Sequence, residues 1–247
     1  MSKTIEEWAA GDGSRPPVVA VSAWKGGDGK STKARELAYQ LGAVLADFDW
    51  DLGGSTRSMG YRHENYVQAP LLDAFRTGKP PRLVTGRRKA DLVMSHPDWQ
   101  HEQPDREAVS DAIYQWARHW RRPIVADTHP GGCPSTYGVL DAADLVVVPV
   151  VLAKDSLNAL EGMLDELVDY PLLIVPNKVK APPAWARKKL KDLAQAHDVP
   201  VGPLVRFETW MENRMLNCAI TSEPVPKRAE RYVASIDKVV ERVINHV

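Results

Sequence analysis

The sequence has few cysteines, no apolar segment typical of a secretory signal, and no apolar run long enough to span a membrane. Among 247 residues there are two cysteines, Cys133 and Cys218, too few for a disulfide framework and suited to a reducing compartment. The first residues include acidic side chains and no apolar core, unlike a secretory signal. The longest apolar runs, such as the one from Leu145 to Leu152, are far shorter than the roughly 20 residues of a membrane-spanning helix. We therefore expect a soluble, cytoplasmic protein with no membrane partner.

An excess of charge of either sign is also missing. The 32 basic and 32 acidic residues give a formal net charge of +0, so no overall field draws the chain to nucleic acid or anionic lipid. Local basic patches remain compatible with this total. The sequence shows no internal repeat, low-complexity tract or interdomain linker, and we expect a short extension over residues 1–16 followed by one domain over 17–247.

Short β-branched runs alternate along the chain with amphipathic stretches. Several runs, such as LVVVPV, are continuously apolar, as expected for strands covered by helices on both faces. This order predicts an α/β fold, a doubly wound and mainly parallel sheet with helices on both faces. The predicted strands are Val18–Ala23, Ala43–Phe48, Ala90–Met94, Pro123–Asp127, Asp144–Val150, Leu172–Pro176 and Val199–Val205.

Three of the amphipathic stretches are clear helix predictions. One covers Glu107–Trp120, and a second covers Ser156–Val168 with an N-cap at Asp155 or Ser156. The third, Pro226–Val247, has an apolar stripe that could dock on the sheet or meet a membrane. Its polar face is mixed in charge rather than strongly basic, which favours docking. The stripe consists of Tyr232, Val233, Ile236, Val239, Val240, Val243 and Ile244.

A glycine-rich loop, WKGGDGKST from Trp24 to Thr32, follows the first predicted strand and leads into a helix. Glycines let successive backbone N–H groups surround a phosphate, and the helix N-terminus adds favourable dipole charge. In such a loop Lys30 bridges the β- and γ-phosphates and the Ser31 hydroxyl coordinates Mg²⁺. We predict ATP and Mg²⁺ as cofactors, with contacts from Lys25, Gly26, Gly27, Asp28, Gly29, Lys30, Ser31 and Thr32.

The loop departs from the usual pattern in carrying Trp24 at its first position and a second lysine, Lys25. KGG-x-GKS after an N-terminal strand resembles the deviant Walker A motif of the ParA/MinD group of P-loop ATPases, which includes the nitrogenase iron protein. The resemblance implies that Lys25 reaches the phosphates bound by the opposite subunit, so that ATP joins a homodimer. Asp28 stands where that family has a small or apolar residue. A carboxylate there repels a triphosphate unless it points away or pairs with a cation.

Two further predicted strands end in aspartates, at the edge where parallel sheets bind ligands. The segment ADFDWDLGG, residues 46–54, resembles the switch I D-x-D motif. This implies that Asp49 orients the attacking water and that Asp47 is structural or near the metal. Trp50 and Asp51 replace the usual Pro-Gln.

Asp127 ends an apolar strand and is followed by THPGG, which resembles a Walker B strand and switch II. In that arrangement the Asp127 carboxylate holds Mg²⁺. We interpret His129 as a loop residue rather than a base, because these enzymes position water through an aspartate. The histidines show no metal-ligand spacing, so we predict neither a zinc nor an iron–sulfur site.

Base and DNA recognition are predicted from the second half of the chain. A guanine-reading N-K-x-D motif would need an acid where Lys180 stands, and the resemblance instead implies that Asn177 contacts adenine. ParA-type ATPases bind nonspecific DNA through C-terminal basic residues. Each basic cluster in this sequence is also compatible with an ordinary solvent-exposed surface. The predicted DNA contacts are Arg187, Lys188, Lys189 and Arg206.

The resemblance implies a DNA-segregating ATPase of plasmid or chromosome partition. It would form an ATP-dependent dimer on nonspecific DNA, hydrolyse ATP weakly, and be stimulated by a ParB-like centromere-binding partner on the nucleoid. Because the loop begins after 23 residues, we expect no N-terminal operator-binding domain. Three alternatives stay open: a MinD-like positioning ATPase, a metabolic ATP-dependent ligase, and a binding module that has lost hydrolysis.

Overall fold

The computed structural model describes residues 3–11, 13–51, 54–62, 69–215 and 217–246. Leu52 and Gly53 of the predicted switch I segment, and Val247 of the predicted last helix, lie outside these residues. Six parallel strands form one sheet in the order β3-β2-β4-β1-β5-β6. The strands are β1 Val18–Val21, β2 Val44–Asp47, β3 Leu92–Val93, β4 Ile124–Asp127, β5 Leu145–Val151 and β6 Leu172–Asn177.

Helices connect the strands and cover both faces of the sheet. Short 3-10 turns occupy Pro97–Gln100, Thr209–Met211 and Lys227–Ala229. The α-helices are α1 Ile5–Ala9, α2 Lys30–Gln40, α3 Ser55–Ser58, α4 Pro70–Thr77, α5 Arg106–Trp120, α6 Pro134–Ala142, α7 Lys154–Glu166, α8 Ala184–Ala196 and α9 Glu230–Ile244.

Two apolar cores lie on opposite faces of the sheet. Alternate residues of β5 enter different cores, with Val146 and Val148 in one and Leu145 and Val147 in the other. The first core is completed by side chains of α4 to α8, and the second by α1, α2 and α9. A strand covered on both sides needs apolar residues at consecutive positions, which explains the unbroken LVVVPV run. The predicted doubly wound α/β fold is confirmed.

The apolar stripe of the last helix docks on the sheet, as the mixed charge of its polar face indicated. Six of its seven residues are buried and Val233 is partly buried against the same core. Among the described residues, no helix has the combination of length and apolarity that crossing a bilayer requires. The buried residues of the stripe are Tyr232, Ile236, Val239, Val240, Val243 and Ile244.

The seventh predicted strand, Val199–Val205, is wrong. The segment runs beside β6 but makes only an isolated parallel bridge between Val201 and Ile174. Pro200 and Pro203 have no N–H to donate, so a continuous ladder cannot form. Irregular backbone bonds remain, including Gly202 N to Ile174 O at 2.7 Å.

The predicted N-cap of α7 is also wrong, because the helix begins two residues before Ser156. Its N-cap residue is Ala153, which provides no side-chain hydrogen bond to the helix. The Ser156 hydroxyl instead donates to the carboxylate of Asp28, at 2.7 Å. Ser156, which the sequence predicted as a helix cap, therefore makes a tertiary contact with the glycine-rich loop instead.

Candidate functional site

The glycine-rich loop and the two aspartate segments meet at one edge of the sheet. Asp127 at the end of β4 is in register with Val21 at the end of β1 and with Asp47 at the end of β2. The three segments that follow these strands therefore start at the same level. This is the edge at which parallel α/β sheets bind ligands.

The glycine-rich loop has a backbone conformation that requires glycine at the N-cap of α2. Gly29 has φ +93°, and a Cβ on it would lie 2.4 Å from the Asn177 amide nitrogen. Two side chains from the end of β6 hold the loop. Asn177 Nδ2 donates to Asp28 O at 2.7 Å, and Lys178 Nζ donates to Gly27 O at 2.8 Å. These bonds engage loop carbonyls, which suits a loop whose N–H groups serve an anion.

Trp24 fits at the first loop position because its side chain leaves the loop. The indole Nε1 donates to Glu166 Oε2 at 3.0 Å. Its ring meets Tyr137 edge to face, with centroids 6.3 Å apart. Tyr137 itself donates to the other oxygen of Glu166. The loop is thus anchored to α6 and α7.

Asp28 is turned toward α7 and lies beside a cation. Its carboxylate is 3% exposed and accepts from Ser156 Oγ, which also accepts from Lys25 Nζ at 3.4 Å. Burial raises the pKa of Asp28, while the Ser156 hydrogen bond and the nearby Lys25 and Lys178 oppose that rise. The carboxylate is thus turned toward α7, and the Ser156 hydroxyl links it to Lys25.

Three buried carboxyl groups cluster beside Lys30, from Asp47, Asp49 and Asp127. Burial is the largest cause of each raised pKa. The charge of Asp127 adds to the upward shift of both Asp47 and Asp49, and burial together with this charge brings the pKa of Asp49 to about 7. Lys30 offsets part of the shift of Asp127. Carboxylates crowded in this way favour a bound cation.

The side chains around Asp127 fit a Mg²⁺ ion. Asp127 Oδ2 accepts from Ser55 Oγ at 2.7 Å, whereas Oδ1 is buried and has no hydrogen-bond partner among the described residues. The Ser31 hydroxyl also faces this carboxyl group. Mg²⁺ prefers oxygen ligands and is usually held by one or two carboxylates together with substrate phosphates. A buried carboxylate oxygen without a partner is the donor such an ion needs.

Residues after β2 and β4 bind to each other. Trp50 stacks on His129 with ring centroids 3.8 Å apart and an angle of 4° between the planes. His129 Nε2 lies 3.2 Å from Asp51 Oδ2. Ligand atoms of Asp49, Asp51 and His129 lie within 4.8 Å of one another, a grouping that sequence spacing did not predict. The predicted switch segments are therefore joined through the residues that replace the usual Pro-Gln.

A cavity of about 180 Å³ lies beside the glycine-rich loop. Asn177 lines it, where the resemblance predicted an adenine contact. Lys33 also lines it, is 1% exposed, and lies 5.3 Å from the centroid of the Tyr232 ring. Burial lowers the pKa of Lys33 to about 7, and Glu36 opposes the shift. The remaining walls are formed by Gly29, Thr32, Lys178, Arg206, Phe207, Glu208, Met211 and Glu212.

Comparison by sequence with protein families and with curated proteins finds no match. Comparison by structure finds McdA from Cyanothece in its apo form, with TM-score 0.72 and 14% identity, covering 90% of this chain and 99% of that one. A plasmid partition protein from Borrelia burgdorferi bound to AMPPNP has TM-score 0.71 and 16% identity, covering 94% and 100%. MinD from Pyrococcus horikoshii, complexed with Mg-ADP, has TM-score 0.67 and 17% identity, covering 90% and 95%.

The chain has the ParA/MinD fold. Its neighbours are P-loop ATPases, and two of the three were solved with a nucleotide. This agreement extends over nine tenths or more of the chain, and confirms the fold that the resemblance implied.

The predicted DNA contacts occupy two places in the ParA/MinD fold. Lys188 and Lys189 lie on α8 and are paired, with Asp192 at 2.6 Å and Glu161 at 2.7 Å. Arg187 lines a groove along the same helix. Arg206 lines the cavity beside the glycine-rich loop instead. The position of Arg206 therefore suits a nucleotide at least as well as DNA.

Ser55, Ser156 and Lys33 belong to the site but were not among the site residues predicted from the sequence. Each depends on chain segments that meet only in the folded protein; Ser55 bonds to a residue 72 positions away, and Ser156 to one 128 positions away. For Lys33 the sequence did offer one indication, because this residue directly follows Lys30-Ser31-Thr32 of the glycine-rich loop. In the ParA/MinD fold that position brings it to the cavity wall.

Proposed function

We propose that the protein is a ParA-like ATPase, a Mg·ATP-dependent dimerising switch that acts in DNA segregation. The observation that carries the proposal is the convergence of Lys30 and Ser31 on Asp127, whose second carboxylate oxygen is buried and has no hydrogen-bond partner among the described residues. A glycine-rich loop alone would indicate only phosphate binding. A second lysine in the same loop, Lys25, together with a magnesium-type carboxylate at Asp127, is what favours an ATPase that works as a dimer.

In the proposed reaction each part of the site has a separate task. The loop N–H groups and Lys30 bind the β- and γ-phosphates, and Ser31 and Asp127 hold the metal. A Mg²⁺ ion held by these residues would neutralise charge that develops on the phosphate oxygens. Asp49, with a pKa of about 7, accepts a hydrogen bond from the attacking water and orients it. The base occupies the cavity beside Asn177, which favours ATP over GTP.

Dimerisation, DNA and partner binding complete the proposed cycle. Lys25 reaches the nucleotide of the second subunit, so only the ATP-bound state is a stable dimer. The dimer binds nonspecific DNA through cations such as Arg187, and a ParB-like protein stimulates hydrolysis on the nucleoid. The similarity to a solved plasmid partition protein supports this choice within the fold.

The test measures oligomeric state and turnover together. Light scattering with ATP and with ADP gives the size, and phosphate release is followed with and without nonspecific duplex DNA. We expect an ATP-specific dimer whose slow hydrolysis responds to DNA. Lys25→Ala should abolish dimerisation while leaving ATP binding, and Lys238→Ala, an exposed lysine on α9, is the matched control.

The other outcomes separate the alternatives. A dimer that persists in the Lys25→Ala variant contradicts the proposed role of Lys25. Fast turnover without DNA or a protein activator favours a metabolic ligase, and ATP binding with no hydrolysis under any condition favours a binding module. An ATP dimer that ignores DNA but associates with anionic vesicles favours a MinD-like positioning ATPase.

A further inference from the structure

Lys25 contacts its own subunit in this structure. Its ammonium donates to Ser156 Oγ on the first turn of α7, and the same hydroxyl donates to Asp28. Ser156 is 1% exposed and Asp28 is 3% exposed, so the group is packed against α7. The crevice around these side chains has about 10 Å³ of free space, no more than one water molecule needs.

The charge of Asp28 gives this contact its strength. Two cations lie near the buried carboxylate, and Lys25 lowers its pKa more than Lys178 does. Lys178 is held at Gly27 O, 2.8 Å away, and remains with the loop. If Lys25 moves away, Asp28 loses the stronger of its two cationic neighbours in a site that excludes water. Moving a cation away from a buried carboxylate is costly because less of the carboxylate's charge is then compensated.

We propose that Asp28 holds Lys25 within its own subunit and thereby sets how readily the ATP dimer forms. The inference rests on the proposed function, in which Lys25 must cross to the second subunit. Asp28 is then a positioning residue that acts through Lys25. A bound triphosphate opposes the hold, since it attracts Lys25 and repels the carboxylate. A small apolar residue at position 28 would leave Lys25 free to cross at lower ATP concentration.

The first measurement needs neither nucleotide nor a dimer. Lys25 is acylated with a limiting amount of an amine-reactive ester, and its modification rate is measured by peptide mass spectrometry relative to Lys238. We expect Asp28→Asn, which keeps the shape of the side chain, to raise the Lys25 rate several-fold. Ser156→Ala should raise it as well, because the shared hydroxyl is removed. An unchanged rate in Asp28→Asn overturns the proposal whatever the protein does with ATP.

The second measurement separates the hold on Lys25 from simple repulsion of ATP. The dimer dissociation constant in ATP should fall roughly tenfold in Asp28→Asn, because Lys25 no longer has to leave a charged carboxylate in order to cross. Affinity for a fluorescent ATP analogue is measured at low protein concentration in Lys25→Ala with and without Asp28→Asn. Equal affinities support the proposal, whereas tighter binding without Asp28 attributes the effect to repulsion and overturns it.

These outcomes also distinguish the inference from the proposed function. Faster acylation together with the absence of an ATP dimer in every variant shows that the contact exists but that the dimerising function is wrong, so the contact regulates nothing. A folded Asp28→Ser variant, checked by circular dichroism, replaces Asp28→Asn if the latter fails to fold.

Discussion

Lys33 is a buried cation whose charge costs stability. Its pKa falls from 10.5 to about 7 through burial, so between these values the unfolded chain binds more protons than the folded one. The free energy of unfolding therefore rises with pH across that window, and the contribution is lost again as the pH falls toward 7. We expect Lys33→Met to raise stability at pH 7 by about 2 kcal/mol, with the gain closing toward pH 10.

Urea unfolding at pH 7 and pH 9.5 measures this effect. Lys238→Met on α9 is the control, since that side chain is exposed and its replacement should leave the pH dependence as it is. A Lys33→Met variant that parallels the wild type at both pH values would show that the Lys33 amine is well solvated in the folded protein.

Asp127 should show the opposing demands of stability and metal binding. Burial raises its pKa above the usual 3.8, so in the metal-free protein its ionisation destabilises the fold as the pH rises. In the absence of Mg²⁺, Asp127→Asn should therefore have a higher free energy of unfolding than the wild type, by about 1–2 kcal/mol at pH 8 and by less at pH 5. The same variant should lose most of the Mg²⁺-dependent part of its ATP affinity.

Differential scanning calorimetry with and without Mg²⁺, alongside titration of a fluorescent ATP analogue, tests both halves of this prediction. Asp192→Asn, an exposed carboxylate paired with Lys188, is the matched control and should change neither quantity. Unchanged Mg²⁺ dependence in Asp127→Asn would remove Asp127 from the metal site.

At the scale of elements, α2 is tied to the segment that precedes α9 by one buried carboxylate. Glu36 accepts from Ile220 N at 3.0 Å, from Thr221 N at 2.9 Å and from Thr221 Oγ1 at 2.9 Å, and it pairs with Arg35. All its partners are donors. The helix that starts at the glycine-rich loop is thereby fixed to a segment about 185 positions further along the chain.

Glu36→Gln keeps the size of the side chain but replaces one acceptor with a donor. Two buried N–H or O–H groups then lose their partner, and Arg35 loses its counter-charge. We expect a loss of about 2–4 kcal/mol in the free energy of unfolding, measured with urea. Glu241→Gln on the exposed side of α9 should be neutral. An unchanged free energy of unfolding in Glu36→Gln would mean that water, rather than Glu36, accepts the hydrogen bonds of the Ile220 and Thr221 N–H groups.

Elements were predictable from sequence where periodicity and composition agreed. The unbroken apolar run of β5 indicated helices on both faces, and the motifs placed Asp47, Asp127 and Lys30 at the ends of their elements. Prediction failed where a distant contact or a proline decided the outcome, as for Ser156 and for Val199–Val205. The stack of Trp50 on His129 joins segments that nothing in the linear pattern relates, so the link between the two switch segments appeared only in the fold.

At the scale of the whole molecule, the proposed DNA face can be tested by its salt dependence. Arg187 is exposed on α8, while Lys188 and Lys189 are already paired with carboxylates. If Arg187 contacts a phosphate, Arg187→Ala should weaken DNA binding at all sequences and reduce the slope of log K against log salt by about 1. Lys238→Ala lies on the helix that covers the opposite face and should leave the slope unchanged. Fluorescence anisotropy with duplex DNA in ATP gives both slopes, and an unaltered Arg187→Ala slope would exclude this face.

The segment beside β6, which contains Pro200 and Pro203, also affects whether copies of the protein can associate through this edge of the sheet. An open sheet edge is a template on which a neighbouring chain can add a strand. Here β6 is bordered by residues 199–206, whose bonds to it are used inward, as from Val205 N to Pro176 O at 2.7 Å. Because Pro203 has no N–H to donate, this segment cannot offer a continuous row of donors to a further strand. Molecules gathered at high density on one surface therefore meet no continuous strand ladder to extend at this edge of the sheet.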